Sequence, residues 1–230
     1  MAKWYIGMTE DAIRQRVVDT AVSLLGIKEG TVEHKRIVDT YNAKLPKLPR
    51  GYKLSCNDPW CAATMTYIGI VLGITDIILP ECSCSAMIEL YKRKGRWMED
   101  DAYVPKPGDL VMYDWDAKSG PCTGSPDHVG MVVSVKGKTI RVIEGNYQNK
   151  VQYRDICVEY VKTRGYCLPD YASLVQHYTD VPAGAWYAKA VSVATEAGVM
   201  EGIGGGLFDP ARAVTRAELA QVVERLLKLK

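Results

Sequence analysis

From Thr9 to Gly26 the apolar residues Ile13, Val17, Ala21, Leu24 and Leu25 recur three and four positions apart. This period predicts a helix over Glu10 to Leu25, capped by Thr9 and stopped by Gly26. A shorter helical pattern covers Glu33 to Asn42 and runs into Leu45-Pro46-Lys47-Leu48-Pro49-Arg50-Gly51, where two prolines and a glycine break regular structure into a long loop. Asp58-Pro59-Trp60-Cys61 reads as the next helix start, with Asp58 as N-cap, Pro59 at the first helical position and the helix continuing through Ala62 to Leu72. Ser85 to Lys94 predicts a further helix ending at Gly95.

The chemistry turns to strand after Pro105-Lys106-Pro107-Gly108, with a strand running up to Tyr113. Val129 to Val135 and Thr139 to Ile143 flank Lys136-Gly137-Lys138 as a hairpin, and Gln152 to Lys162 adds another strand. Helical periodicity returns over Trp186 to Ala197 and Arg216 to Leu227, on either side of a glycine-rich loop from Gly198 to Gly206, and Thr215 and Glu218 have capping-box spacing. The fold class read from this order is α+β. Helices pack on an antiparallel sheet in residues 1–172, and a small two-helix unit occupies residues 173–230.

The 230 residues, 47% hydrophobic and 24% charged, have globular composition, which excludes a disordered chain. A formal charge of +2 gives no support to a nucleic-acid partner, and the C-terminal unit is balanced at six basic against six acidic residues. No apolar run of about 18 residues predicts a membrane span, and Met1 to Arg16 lack the pattern of a signal peptide, so the expected site of synthesis is the cytoplasm. Seven cysteines, an odd number, are read as reduced thiols.

A thiol becomes a useful nucleophile as thiolate, and the first turn of a helix favours that anion through unpaired N–H groups and the helix dipole. Cys61 has this position, whereas Cys56, Cys82, Cys84, Cys122, Cys157 and Cys167 do not read as comparable candidates. His128 opens one hairpin strand, and the return strand ends in Ile143-Glu144-Gly145-Asn146. A base on one strand and its orienting groups on the next is what a thiolate–imidazole pair requires. Side chains alternate faces, so register decides whether His128 meets Glu144. A three-residue loop, Lys136 to Lys138, sets Val135 opposite Thr139, Gly130 opposite Glu144 and His128 opposite Asn146. A two-residue loop at Lys136-Gly137 sends Glu144 to the other face. The three-residue loop is therefore expected.

Four segments together, Asp58-Pro59-Trp60-Cys61-Ala62-Ala63, Pro105-Lys106-Pro107-Gly108-Asp109-Leu110-Val111, Asp127-His128-Val129-Gly130-Met131-Val132 and Ile143-Glu144-Gly145-Asn146, resemble the CHAP family of cysteine, histidine-dependent amidohydrolases/peptidases. The resemblance covers about residues 5 to 170. It implies a papain-like α+β domain that cleaves amide bonds of bacterial peptidoglycan, as in endolysins. Carried over by position, Cys61 is the nucleophile, His128 the base, and Glu144 and Asn146 the groups that orient the imidazole. Whether the bond is a muramoyl-L-alanine linkage or a peptide bond stays open, and a non-catalytic wall-binding scaffold and a protease acting on proteins are the rival readings. Trp60, Trp115 and Tyr147 are candidate walls of a substrate groove, Asn57 and Tyr52 candidate second donors to the oxyanion, and His34 a lone surface histidine. Too few oxygen ligands precede Cys61 for calcium, and the cysteine spacings do not make a zinc finger, so neither a metal nor a cofactor is expected.

Tyr178-Thr179-Asp180-Val181, Trp186-Tyr187-Ala188, Gly204-Gly205-Gly206-Leu207-Phe208-Asp209-Pro210 and Val214-Thr215-Arg216-Ala217-Glu218-Leu219 resemble one S-layer homology repeat. That resemblance implies binding of a secondary cell-wall polymer through Trp186, the loop Gly204, Gly205 and Gly206, and Arg216, whose planar fork suits a carboxylate. One two-helix unit struggles to bury its apolar faces, which leaves packing on the larger domain or a homotrimer with one repeat from each chain. The expected place of action is the wall, after release or lysis.

Overall fold

The computed structural model describes residues 4–100, 102–118, 123–175 and 177–228. By internal contacts, residues 14–170 form one compact unit, and residues 171–230 form a second with the start of the chain up to Ile13. The fold is α+β, with six α-helices and a six-stranded antiparallel sheet among the described residues.

Four helices come first: α1 (Glu10–Val22), α2 (Val32–Lys44), α3 (Cys61–Leu72) and α4 (Cys84–Arg93). The stripe on α1 buries Ile13, Val17 and Ala21, and the helix stops short of Leu25, which is exposed. Helix α3 is apolar around its whole circumference, as expected of a helix enclosed on all sides, and every residue from Cys61 to Gly69 is buried. It packs against α2 and against the hairpin strands β3 and β4.

The sheet contains β1 (Trp97–Met98), β2 (Leu110–Tyr113), β3 (His128–Lys136), β4 (Thr139–Tyr147), β5 (Lys150–Cys157) and β6 (Thr163–Cys167), in the order β1-β6-β2-β3-β4-β5. Val111, Tyr113, Val132, Ile140, Val142, Ile156 and Tyr166 make one apolar cluster on it. Alternation along the strands continues this face to His128, Glu144 and Arg154. The Asp of the Pro-Gly-Asp motif anchors its own loop. Buried Asp109 accepts from the Arg14 guanidinium at 3.0 Å, the Tyr103 hydroxyl at 3.0 Å and the Lys106 backbone N–H at 2.9 Å.

The hairpin turn differs from the expected three-residue loop. Lys136 pairs with Thr139, leaving the two-residue turn Gly137-Lys138, with Gly137 at φ 60° as a type II′ turn requires of its first central residue. That turn alone would send Glu144 to the wrong face. A bulge between Val132 and Ser134 inserts one extra residue and restores the pairs Val132–Val142 and Gly130–Glu144. The predicted pair Gly130–Glu144 is thus present, reached by a bulge in the strand rather than by a longer turn, whereas the predicted pair His128–Asn146 is not among the β3–β4 partners of the described residues.

In the C-terminal unit, α5 (Ala188–Glu196) and α6 (Arg216–Lys228) flank the glycine loop. The capping box is formed: Thr215 Oγ1 accepts from the Glu218 backbone N–H at 3.2 Å, and Glu218 Oε2 accepts from the Thr215 N–H at 2.8 Å. Asp180 holds the far end of the loop by accepting from the backbone N–H groups of Phe208 and Asp209 at 2.9 and 2.6 Å. None of the described residues of α6 is buried, although it is strongly amphipathic. No helix among the described residues is long and apolar enough to cross a membrane.

Candidate active site

Cys61 is the first residue of α3 and is buried. The N-cap position belongs to Trp60 rather than Asp58, so the helix begins two residues later than the Asp-Pro pattern suggests. Asp58 instead accepts the Ser55 backbone N–H at 2.7 Å and shapes the preceding turn. The thiol is held well below its ordinary range. A hydrogen bond from the Cys84 thiol contributes most, burial opposes it, and the His128 imidazole and the Ala62 backbone N–H add to the lowering.

His128 starts β3 and is buried. Its Nε2 lies 3.1 Å from Glu144 Oε2, which leaves Nδ1 for the Cys61 sulfur. Burial by itself lowers the imidazole, but hydrogen bonds to Cys61 and Glu144, and the charges of both, outweigh it and push His128 up to about 9. Thiol down and imidazole up both favour the thiolate–imidazolium form of the pair.

Glu144 is fully enclosed. Burial raises its carboxyl, and the hydrogen bonds from His128 and Arg154 overcome this and hold it below the usual carboxylate range. Arg154 Nε donates to Glu144 Oε1 at 2.8 Å. On β5 it stands opposite Val142 and reaches the carboxylate diagonally, as neighbouring strands allow for a long side chain. Its guanidinium carbon sits 3.8 Å from the Tyr147 ring centre and 4.8 Å from that of Trp115. The aromatic pair read as groove walls therefore encloses this arginine, and Trp115 also lies 5.9 Å from the His128 ring. Arg154 was not among the candidates from sequence. Its signal there is the even spacing of Arg154 and Ile156 on one strand face.

Two glycines let these elements close. A Cβ on Gly130 would come within 2.6 Å of Glu144 Cγ, and one on Gly145 would collide with the Thr64 side chain on α3. The Gly of Glu-Gly-Asn thus brings the end of β4 against the first turns of α3.

Other sequence candidates fall differently. Trp60 is fully enclosed, with its ring centre 4.6 Å from that of His34 and its indole N–H donating to Glu29 Oε2 at 3.1 Å. It is a core residue, not a groove wall, because no surface of it is left for a substrate. His34 is buried rather than a surface histidine, and its Nδ1 accepts the Gly30 N–H at 3.2 Å. Asn146 turns to φ 58° beyond the last β3–β4 pair and makes no hydrogen bond to the imidazole among the described residues, because Glu144 already holds Nε2.

A cleft of about 280 Å³ opens at Cys61, bordered by Arg50, Tyr52, Asp58, Cys82, Cys84 and Asp127. Tyr52 is on this cleft, whereas Asn57 is not among its lining residues. Arg50 grips Glu81 through Nη2 at 2.9 Å on one side of the cleft. Cys84 is the first residue of α4, behind the Ser83 cap, so it shares the helix-start position that the sequence reading reserved for Cys61. Its sulfur lies 3.8 Å from that of Cys61. The cysteines Cys56, Cys61, Cys82, Cys84, Cys157 and Cys167 are free thiols, and Cys122 lies outside the described residues. Among the described residues no group of three or more His, Cys, Asp or Glu side chains is arranged to hold a metal ion.

In the C-terminal unit Trp186 is 92% exposed and meets Tyr187 edge-on at 5.5 Å. Gly204, Gly205 and Gly206 all have positive φ, and the Gly206 carbonyl accepts the Thr179 N–H at 2.9 Å. Arg216 is exposed at the start of α6 and forms no ion pair among the described residues, Glu218 being taken by Arg212 at 2.8 Å. A concavity of about 640 Å³ in this unit is lined by Met200, Phe208, Arg212, Glu218 and Arg225, among others, and Trp186 and Arg216 do not border it.

A search of curated proteins finds no significant match. Among solved structures, the crystal structure of Ly7917 with the hydrolyzing product of MDP and the crystal structure of Ly7917 are similar at 17% and 16% identity, each with a TM-score of 0.32. Both comparisons cover 59% of this chain and 62% of the other, so the chain spans less than two thirds of the length of those proteins. The family comparison is more specific about segments: the chain carries a CHAP domain, matched over residues 52–146, and an S-layer homology domain, matched over residues 177–220.

Proposed function

We propose that this chain is a peptidoglycan hydrolase that cleaves an amide bond with Cys61 as nucleophile, and that its C-terminal unit attaches it to the cell wall. The CHAP match supports the substrate class. The observation that carries the chemistry is the chain of contacts from Cys61 through His128 to a buried Glu144.

In this reading the Cys61 thiolate attacks the amide carbonyl while the His128 imidazolium donates its proton to the leaving amine. The oxyanion is met by the Cys61 backbone N–H at the open start of α3. Water then attacks the thioester with His128, now neutral, as general base. Glu144 holds the ring so that Nδ1 faces the sulfur, and it stabilises the imidazolium before the amine leaves and again once His128 has taken the proton of water. The bond is the N-acetylmuramoyl-L-alanine amide or a peptide bond of the stem, since both present the same carbonyl.

Wall attachment is read from the S-layer homology match, with exposed Trp186, the positive-φ glycine loop and Arg216, which has no ion pair among the described residues, as contacts for an acidic secondary wall polymer. Leu219, Val223, Leu226 and Leu227 of α6 are exposed, and a homotrimer that covers them completes this reading. Mass spectrometry of products released from purified walls tests the proposal. New L-alanine amino termini identify an amidase, other new amino termini an endopeptidase, and a product set with no new amino terminus overturns both.

A further inference from the structure

Hydrolysis by one thiolate and one imidazole has no step for a second thiol, yet the Cys84 sulfur lies 3.8 Å from that of Cys61 in the buried floor of the cleft. Both cysteines open a helix, so neither side chain has a preceding helical turn to restrict its χ1 rotation. The sulfurs need only close from 3.8 Å to the ~2.05 Å of a disulfide.

We propose that Cys61 and Cys84 form an oxidative modification site that takes hydroperoxides, with Cys61 as the sulfur attacked and Cys84 as the thiol that captures it in a reversible disulfide.

The Cys61 thiolate attacks the terminal peroxide oxygen, so that an S–O bond forms and the O–O bond breaks. The departing alkoxide takes the His128 proton and leaves as an alcohol. The peroxide is reduced by two electrons and Cys61 is oxidised to a neutral sulfenic acid. The Cys84 sulfur then attacks the Cys61 sulfur, the S–S bond forms as the S–O bond breaks, and hydroxide leaves with the Cys84 proton as water. While Cys61 is a thiolate, its hydrogen bond and then burial and its charge keep the Cys84 thiol protonated. Oxidation of Cys61 removes that hydrogen bond and that charge, which lowers the barrier to deprotonating Cys84 as it attacks.

Cys82 borders the same cleft but lies outside α4, and its sulfur accepts from Arg50 Nη2 at 3.5 Å. It is not the capturing thiol in this scheme. The disulfide removes the nucleophile reversibly and protects it from the irreversible sulfinic and sulfonic acids.

The test treats the full chain with hydrogen peroxide, alkylates free thiols with iodoacetamide and maps the peptides by mass spectrometry. Wild type is expected to yield a Cys61–Cys84 cross-linked peptide lighter by two hydrogens, and dithiothreitol restores full labelling of Cys61. In the near-isosteric Cys84→Ser variant, Cys61 gains two or three oxygens, and its labelling after dithiothreitol falls about tenfold below wild type. Cys82→Ser behaves as wild type. Uptake of two or three oxygens by wild-type Cys61 without the cross-linked peptide overturns the proposal, and so does a Cys61–Cys82 link. The wild-type arm decides the matter even if Cys84→Ser fails to fold. Every readout is on sulfur, so a failure here is separate from any failure of wall hydrolysis.

Discussion

Arg154 Nε donates to one oxygen of the Glu144 carboxylate at 2.8 Å, while the other oxygen lies 3.1 Å from His128 Nε2. The carboxylate is fully enclosed, so its charge depends on these two partners. Arg154 therefore acts through Glu144 on the imidazole: it is a positioning residue, kept in place by Tyr147 and Trp115.

Arg154→Met leaves a buried carboxylate with one partner. Loss of one side of a buried ion pair is expected to destabilise the unit by about 3 kcal/mol, read as a fall in the urea midpoint at unchanged slope. Wall hydrolysis falls as well, and Arg154→Lys restores part of the stability but less of the rate, because a lysine lacks the planar fork that lies on Tyr147.

The pH profile follows from the two shifts. In the proposed mechanism the thiol is protonated and inactive below the depressed Cys61 value, and above about 9 the His128 imidazolium loses the proton intended for the leaving amine. A plot of kcat/KM against pH should fall on an alkaline limb near 9. Glu144→Gln removes one of the contributions that raise His128 while burial still lowers it, so that limb moves to lower pH. An unmoved limb contradicts the assignment of Glu144.

Trp60 separates a core role from a substrate role. Truncating an enclosed tryptophan to alanine costs about 3–5 kcal/mol. Trp60→Phe, which keeps the ring against His34 but loses the bond to Glu29, should lower the melting temperature while leaving KM for wall fragments unchanged. A raised KM at unchanged stability would return Trp60 to the groove.

Glu218 caps α6 through Thr215 and pairs with Arg212, and its backbone and side-chain hydrogen bonds bring it down to about 2. A depressed carboxylate contributes stability that is full above its ordinary value, near 4.5, and is lost as pH falls through 2. Far-UV circular dichroism should show α6 helicity falling in wild type as pH drops from about 4.5 through 2, with no such step in Glu218→Gln, whose capping does not change with pH.

The placement of the candidate site in the fold was largely legible in the sequence, and the reason is local. Cys61 at a helix start, His128 at a strand start and Glu144 near the end of the return strand each follow from period and punctuation. The route to the register was not. Alternation predicts which residues share a face only if the strand is regular, and the bulge at Val133 trades one residue between strand and turn without a signature in the apolar pattern. Cys84 and Arg154 escaped for a different reason. Their roles arise from contacts 23 and 10 residues away along the chain, which no local pattern encodes. Trp60 shows the converse, since an aromatic beside a nucleophile reads as a substrate wall until packing with His34 is seen.

The most direct measurement is the turbidity of purified walls incubated with wild type and with Cys61→Ala at neutral pH. Clearing by wild type, with the alanine variant folded and inert, is the predicted result. Equal clearing by both proteins, or intact walls in both, contradicts hydrolysis by the Cys61 thiolate.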